Sequence, residues 1–477
     1  MNTVREPVNR SNPHHPLADG ITRAVTRTAP REPSTTVNRG VRADLMAVVC
    51  AGLLVAVAAV IGVWLLDQGV PLHVDAPPLG GQWLPHDGPG TVPAVLLALL
   101  VILRGPELAA RLPWRPLLGL SAITAVAWTL SLALIDGWEL GVTDRLTTDT
   151  EYLHDVPRVG DVATLLRTFA ERIPGLRPES WTTHVAGHPP GALLVFLGLD
   201  RIGLPGGAPA ALLCVVVGST TAVAVAVTLR ALGADAAARA ALPFGVLLPG
   251  AIWIGVSADG LFAGVLAWGV ALLAVGATRQ RLDITAIATS AAGGLLLGAT
   301  LFLSYGLVLA GLLPVAVAVA ARRVAPLLVA GAGVAAVVAA FAAAGFWWLD
   351  GYRQVTFRYY QPGEYGLVRP YGYWVWADLA CLVVVLGPAG VAGLRRVFTP
   401  GQGQPGILVL VCAAAAVAVL VADLSGLSKA EVERIWLPFA VWLIAAAGLL
   451  PGRQVRWWLA GQAVVALIVN HLLLTTW

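Results

Sequence analysis

Residues 45–66 read LMAVVCAGLLVAVAAVIGVWLL, 22 consecutive positions without a charge or a proline. A helix of that length extends about 33 Å, enough to cross the roughly 30 Å hydrocarbon core of a bilayer. Comparable runs recur to the end of the 477-residue chain, which is 57% hydrophobic and only 12% charged. Inside lipid each backbone N–H and C=O must be satisfied within the segment, so spans of this kind are helices. The alternating pattern of a membrane barrel is absent. The expected fold is all-α, a polytopic transmembrane helical protein with about 13 spans.

The apolar runs fall at 45–66, 92–103, 117–136, 208–229, 240–256, 260–277, 284–303, 305–321, 324–347, 374–394, 406–422, 435–450 and 457–475. Seven arginines precede the first run, in a polar stretch rich in Pro, Thr and Asn. That stretch, residues 1–42, reads as a disordered cytoplasmic tail, and 43–477 as the transmembrane domain of a multi-pass plasma-membrane protein. With the N-terminus inside, the inner loops collect Arg104, Arg111, Arg115, Arg230, Arg239, Arg279, Arg281, Arg322, Arg323, Arg395, Arg396, Arg453 and Arg456, with few acids. This is a strong positive-inside pattern. It holds only if the run at 189–201 does not cross. Those 13 residues give about 20 Å of helix, too short for the core, so a re-entrant or juxtamembrane helix on the outer face is expected. The outer loops are then 137–207, 348–373 and 423–434.

Other classes are thinly supported. Cys50, Cys214, Cys381 and Cys412 lie in apolar runs without metal-type spacing and read as buried thiols. A net charge of +4 is spent on topology, so no nucleic-acid partner is indicated. Phosphate-cradling loops, dinucleotide fingerprints and nucleophile elbows are missing.

Most carboxylates fall in the outer loops. Residues 137–188 carry Asp144, Asp149 and Glu151, and end in WTTHVAGHPPG, with His184 and His188 four apart before a Pro-Pro step. Proline at a first helical turn wastes no hydrogen bond, so a helix should start there with His188 near its cap. A zinc site would need more ligands than this stretch offers, and substrate contact or structural hydrogen bonding fits the pair better. The loop 348–374 adds Arg358 among many tyrosines, whose alternative role is an interfacial aromatic belt. Asp259 in GVSADGLF, and Glu431 with Arg434 in EVERIW, abut apolar spans with little polar cover. Ionisable groups so placed tend to face an internal cavity.

The acidic outer loop, the HVAGHPPG element at His184–Gly191, the outer-turn Asp259 and the late EVERIW at Glu431–Trp436 together resemble the GT-C superfamily of membrane glycosyltransferases, in an actinobacterial type. The resemblance covers the architecture of nearly the whole chain. It implies an inverting enzyme that moves a mannose- or arabinose-like sugar from a polyprenyl-phosphate donor to a cell-envelope glycan, lipid or protein acceptor at the outer face. The family's catalytic acid lies in its first large outer loop. Asp144 and Asp149 match that position, with Asp136 a more buried third option. Glu151, His184, His188, Asp259, Arg358, Glu431 and Arg434 would bind substrate, Arg434 or Arg358 meeting the leaving phosphate. The family's loop follows its first span, whereas here the acidic loop follows the third. No cofactor is read from the sequence, and a divalent metal ion stays open. Two other classes compete: a secondary transporter or lipid flippase, which would show internal repeats and charges in mid-span, and a non-catalytic envelope-assembly protein.

Overall fold

The computed structural model describes residues 35–175, 177–362, 365–399 and 403–476. The chain is an all-helical polytopic membrane protein. Among the described residues, nine helices are long and apolar enough to cross a membrane. They coincide with nine of the expected spans, and the segment at 92–103 extends to a 21-residue helix, Thr91–Arg111. The other four are shorter or interrupted. Tyr305–Ala321 and Leu437–Leu449 are short apolar helices. The expected span 240–256 stops at Val246, before the Pro249–Gly250 step, and resumes only as Ala251–Ile254. The last helix, Val455–Leu472, ends three residues early because Leu473–Thr475 is a strand. Residues 35–42, expected to be disordered, begin the helix Thr35–Asp67. The rest of that tail lies outside the described residues.

The interruption at Gly250 and a kink in Tyr371–Val397 satisfy each other. Pro388 has no N–H to give, and Gly387 takes a left-handed φ of 64°, so the carbonyls behind them lose their helical donors. The Gly250 amide donates to Val385 O at 3.0 Å. The Gln462 side chain covers the remainder, donating to Leu386 O at 2.9 Å and accepting from the Ala389 amide at 3.0 Å. An unpaired backbone group in an apolar interior is costly, and one glutamine removes that cost here.

The bundle has two chemically distinct ends. At one, Arg239 donates to Ala109 O and Leu112 O, Arg456 to Leu103 O, and Arg395 with Arg396 grips Asp44. These are residues of the arginine-rich loops that the sequence reading expects on the inner side. At the other end, Gly81–Trp83 pairs antiparallel with Leu473–Thr475, a small two-stranded sheet that the helical reading did not include. Gly81 fits that pairing because a Cβ there would stand 2.7 Å from Leu474 O. The same end carries the segment between 137 and 206, built of short helices. Its last helix, Pro190–Arg201, has 12 residues and starts on Pro190, with Pro189 rather than His188 at the cap. It packs on Ile284–Leu303 so closely that a Cβ on Gly191 would lie 2.4 Å from Phe302 O.

This arrangement predicts opposite membrane sides for Ile202, which is 72% exposed, and Arg281. In a Cys50→Ser background, Ile202→Cys should react with an impermeant maleimide on intact cells, and Arg281→Cys only after permeabilisation. Labelling of both from one side would overturn the topology.

Candidate functional site

The sheet-bearing end opens into a cavity of about 900 Å³. Its floor is organised by Arg434, which stands in the one-turn helix Val432–Ile435. Ala430 and Glu431, just before it, both adopt left-handed backbone at φ 67° and 61°. Non-glycine residues accept that conformation only when their surroundings impose it. Here it aims both Glu431 oxygens at cations: Oε2 lies 2.7 Å from Arg434 Nη2 and Oε1 lies 2.7 Å from Arg369 Nη2. Arg434 Nη1 meets Asp259 Oδ2, also at 2.7 Å. A guanidinium is planar and donates in fixed directions, so it suits a buried hub joining several acceptors. The two arginines hold the Glu431 carboxyl at about 2 although burial alone would raise it. Burial would lower the Arg434 pKa, but Asp259, Glu431 and Glu151 raise it further above its usual range.

The histidine pair is fixed by the same hub. Arg434 Nη2 donates to His184 Nε2 at 3.0 Å. Since arginine can only donate, the His184 proton belongs on Nδ1, which lies 2.7 Å from Glu151 Oε1. His184 sits in the short helix Thr183–Gly187, and its carbonyl accepts from His188 Nδ1 at 2.7 Å. His188 is flanked by the rings of Tyr152 and Phe262. Burial lowers its pKa to about 4, against the opposing pull of Asp259. At neutral pH it is therefore an uncharged imidazole whose only proton is already donated.

Of the residues expected from sequence, His184, His188, Asp259, Arg358, Glu431 and Arg434 line the cavity, and Glu151 braces it from behind. Arg358 is already occupied: its Nη1 donates to Ile173 O at 3.0 Å and Trp181 O at 2.9 Å, fastening the 348–359 helix to the long loop. Asp144 and Asp149 are not brought to the cavity. Both are exposed and absent from its lining, and Asp144 accepts from the neighbouring Thr143 hydroxyl at 2.9 Å. The Asp136 side chain is held between His86 and Arg145, 4% exposed.

No protein-family model matches the chain, and no curated protein matches it. Among solved structures it is similar to the Archaeoglobus fulgidus oligosaccharyltransferase tethered with an acceptor peptide containing the NVT sequon, at 13% identity and a TM-score of 0.43. That match covers 74% of this chain and 55% of the archaeal one, so the chain spans little more than half the length of that protein.

Three cavity residues lay outside the sequence reading. Asp75, in the loop after the first span, is exposed and lines the cavity with no partner among the described residues. Lys429, the only lysine in the chain, is buried at the cavity wall, its Nζ donating to Gly366 O and Arg369 O. Burial, with Arg369 nearby, lowers its pKa. Arg369 donates to Lys429 O at 2.7 Å besides gripping Glu431. A lone lysine among thirty arginines was the available signal, and so was the first outer loop, which the resemblance points to. A divalent metal does not fit the converging carboxylates. Each is engaged by a cation or an imidazole, and no group of three or more His, Cys, Asp or Glu among the described residues is arranged to hold one.

Two outcomes follow. Arg434→Met should destabilise the fold by about 3–5 kcal/mol, because it strands the buried Asp259 carboxylate and takes from Glu431 one of its two cations; a melting temperature near wild type would refute the hub. Glu433, which accepts from the Gly80 amide at 2.7 Å, has its pKa raised to about 7 by burial, from 4.5. The folded chain therefore favours the neutral acid, and the stability present below 4.5 is lost as pH rises through about 7. Glu433→Gln should melt above wild type at pH 8 and converge with it near pH 5; parallel curves would refute the assignment.

Proposed function

We propose that the protein is a membrane glycosyltransferase of GT-C type. It transfers a mannose- or arabinose-like sugar from a polyprenyl phosphate to a cell-envelope acceptor at the outer face of the plasma membrane, with the N-terminus in the cytoplasm. The observation that carries this reading is the make-up of the cavity. It opens at the end opposite the arginine-rich loops and places an uncommitted carboxylate, Asp75, in the same chamber as the Arg369–Lys429 cation pair.

The chemistry asks little more. Asp75 takes the proton of an acceptor hydroxyl, the oxygen attacks the anomeric carbon, and the carbon–oxygen bond to phosphate breaks. Polyprenyl phosphate leaves, and this single displacement inverts the sugar. Proton abstraction by a positioned carboxylate contributes about 10²–10⁴-fold. The leaving phosphate gathers negative charge, which fixed cations in a partly dry site stabilise. Lys429 serves best, since two of its three ammonium protons are engaged by Gly366 and Arg369 carbonyls. Arg434 and Arg358 hold the walls in place instead. Asp75 replaces Asp144 and Asp149 as the base because a base must reach the substrate, and of these three only Asp75 lines the chamber.

Asp75→Asn should cut release of polyprenyl phosphate from a labelled polyprenyl-phosphate sugar by about 10²–10⁴-fold with an unchanged melting curve. Asp144→Asn and Asp149→Asn should stay near wild type. Full turnover by Asp75→Asn would remove it as the base, and no release by the wild-type protein with any such donor would sink the transferase reading.

A further inference from the structure

His188 has one ring nitrogen to spare. Its Nδ1 faces the His184 carbonyl at 2.7 Å, and a carbonyl only accepts, so the single proton of the neutral ring sits on Nδ1. Nε2 therefore presents a bare lone pair. It makes no hydrogen bond among the described residues, and it is not sealed off, since His188 is half-buried and lines the cavity. Asp259 lines the same cavity and repeats the pattern. Arg434 takes its Oδ2 at 2.7 Å, and its Oδ1 has no partner among the described residues. The two acceptors are neighbours: Phe262, one turn after Asp259 in the helix Ala258–Ala277, packs its ring on the imidazole with centroids 5.6 Å apart.

Two acceptors side by side select what can dock there. A phosphate or carboxylate oxygen would meet them lone pair against lone pair. A hydrocarbon chain would displace their water and return no hydrogen bond. An ammonium group gains little, because the Asp259 charge is already matched by Arg434. A hydroxyl supplies what is missing: it donates one proton, carries no charge, and rotates to reach either atom.

We propose that His188 Nε2, with Asp259 Oδ1 beside it, is a specificity point that accepts from a hydroxyl of a bound sugar and so selects that sugar over its deoxy counterpart. That the sugar is a substrate rests on the transferase reading; the hydroxyl binding stands by itself.

The test titrates purified full-length protein in nanodiscs, followed by tryptophan fluorescence. The probes are polyprenyl-phosphate mannose, polyprenyl-phosphate arabinofuranose, oligosaccharides of the same two sugars, and bare polyprenyl phosphate. His188→Phe should weaken a sugar-bearing probe about tenfold, the worth of one hydrogen bond, and leave polyprenyl phosphate unchanged. His188→Gln restores a side-chain acceptor and should recover most of that affinity. Among monodeoxy forms of the same probe, one should bind wild type about tenfold more weakly and lose nothing further in His188→Phe. Weakening of a polyprenyl-phosphate sugar assigns the hydroxyl to the donor, and weakening of an oligosaccharide assigns it to the acceptor. The proposal is overturned if no sugar probe binds wild type, if His188→Phe binds them all as wild type does, or if polyprenyl phosphate is lost equally. Should neither variant fold, a wild type indifferent to every monodeoxy probe overturns it as well. Sugar binding that depends on His188, in a protein that releases no polyprenyl phosphate from either donor, would keep the subsite and sink the transferase reading.

Discussion

The Arg434 guanidinium is the interaction on which the cavity end depends. One buried cation touches Asp259 at the start of a long helix, Glu431 on a left-handed turn, and His184 in the long loop. Those three segments are far apart in sequence. A buried ion pair often gains little over a well-packed apolar pair. Its use here is geometric: a planar donor with fixed directions permits a single arrangement of its partners, and each of them carries a loop to the cavity wall. Arg369 repeats the device one step outward, joining Glu431 to the Lys429 carbonyl.

Sequence made the fold legible where length and polarity are decisive. A long apolar run has one solution in lipid, and nine such runs are helices of spanning length among the described residues. The same reasoning fixed the shortness of Pro190–Arg201. It faltered where tertiary partners replace local rules. Nothing in LLPGAIW shows that the Gly250 amide finds Val385 O across the bundle, or that Gln462 mends both sides of the Pro388 kink. Discontinuous helices of this kind belong to transporters when their freed backbone faces a substrate. Here the freed groups are already satisfied, which leaves the transporter class without support from them.

The site was half legible. Asp259, Glu431 and Arg434 were conspicuous because charge beside an apolar span must be explained, and they do converge. Asp144 and Asp149 were attractive by position along the chain, but a loop of short helices can turn a side chain either way, and both turn outward to solvent. Asp75 was overlooked because a single acid in a short loop is, residue by residue, unremarkable. Only the folded arrangement shows that the loop following the first span borders the same chamber as Lys429.

A division of labour among the carboxylates follows from this. Asp259, Glu431 and Glu151 each sit 2.7 Å from a cation or an imidazole, and removing a proton from a substrate would require one of those contacts to be broken first. Such groups hold shape and are poorly suited to chemistry. A base needs the reverse: a lone pair kept in reach of water and substrate, on a backbone that does not move. Asp75 has that exposure, and its loop is tied at the far side by Glu433, which receives the Gly80 amide from the same turn that aims Glu431. The segment that carries the ionic hub therefore also holds the loop on which Asp75, the proposed base, stands, while leaving its oxygens free.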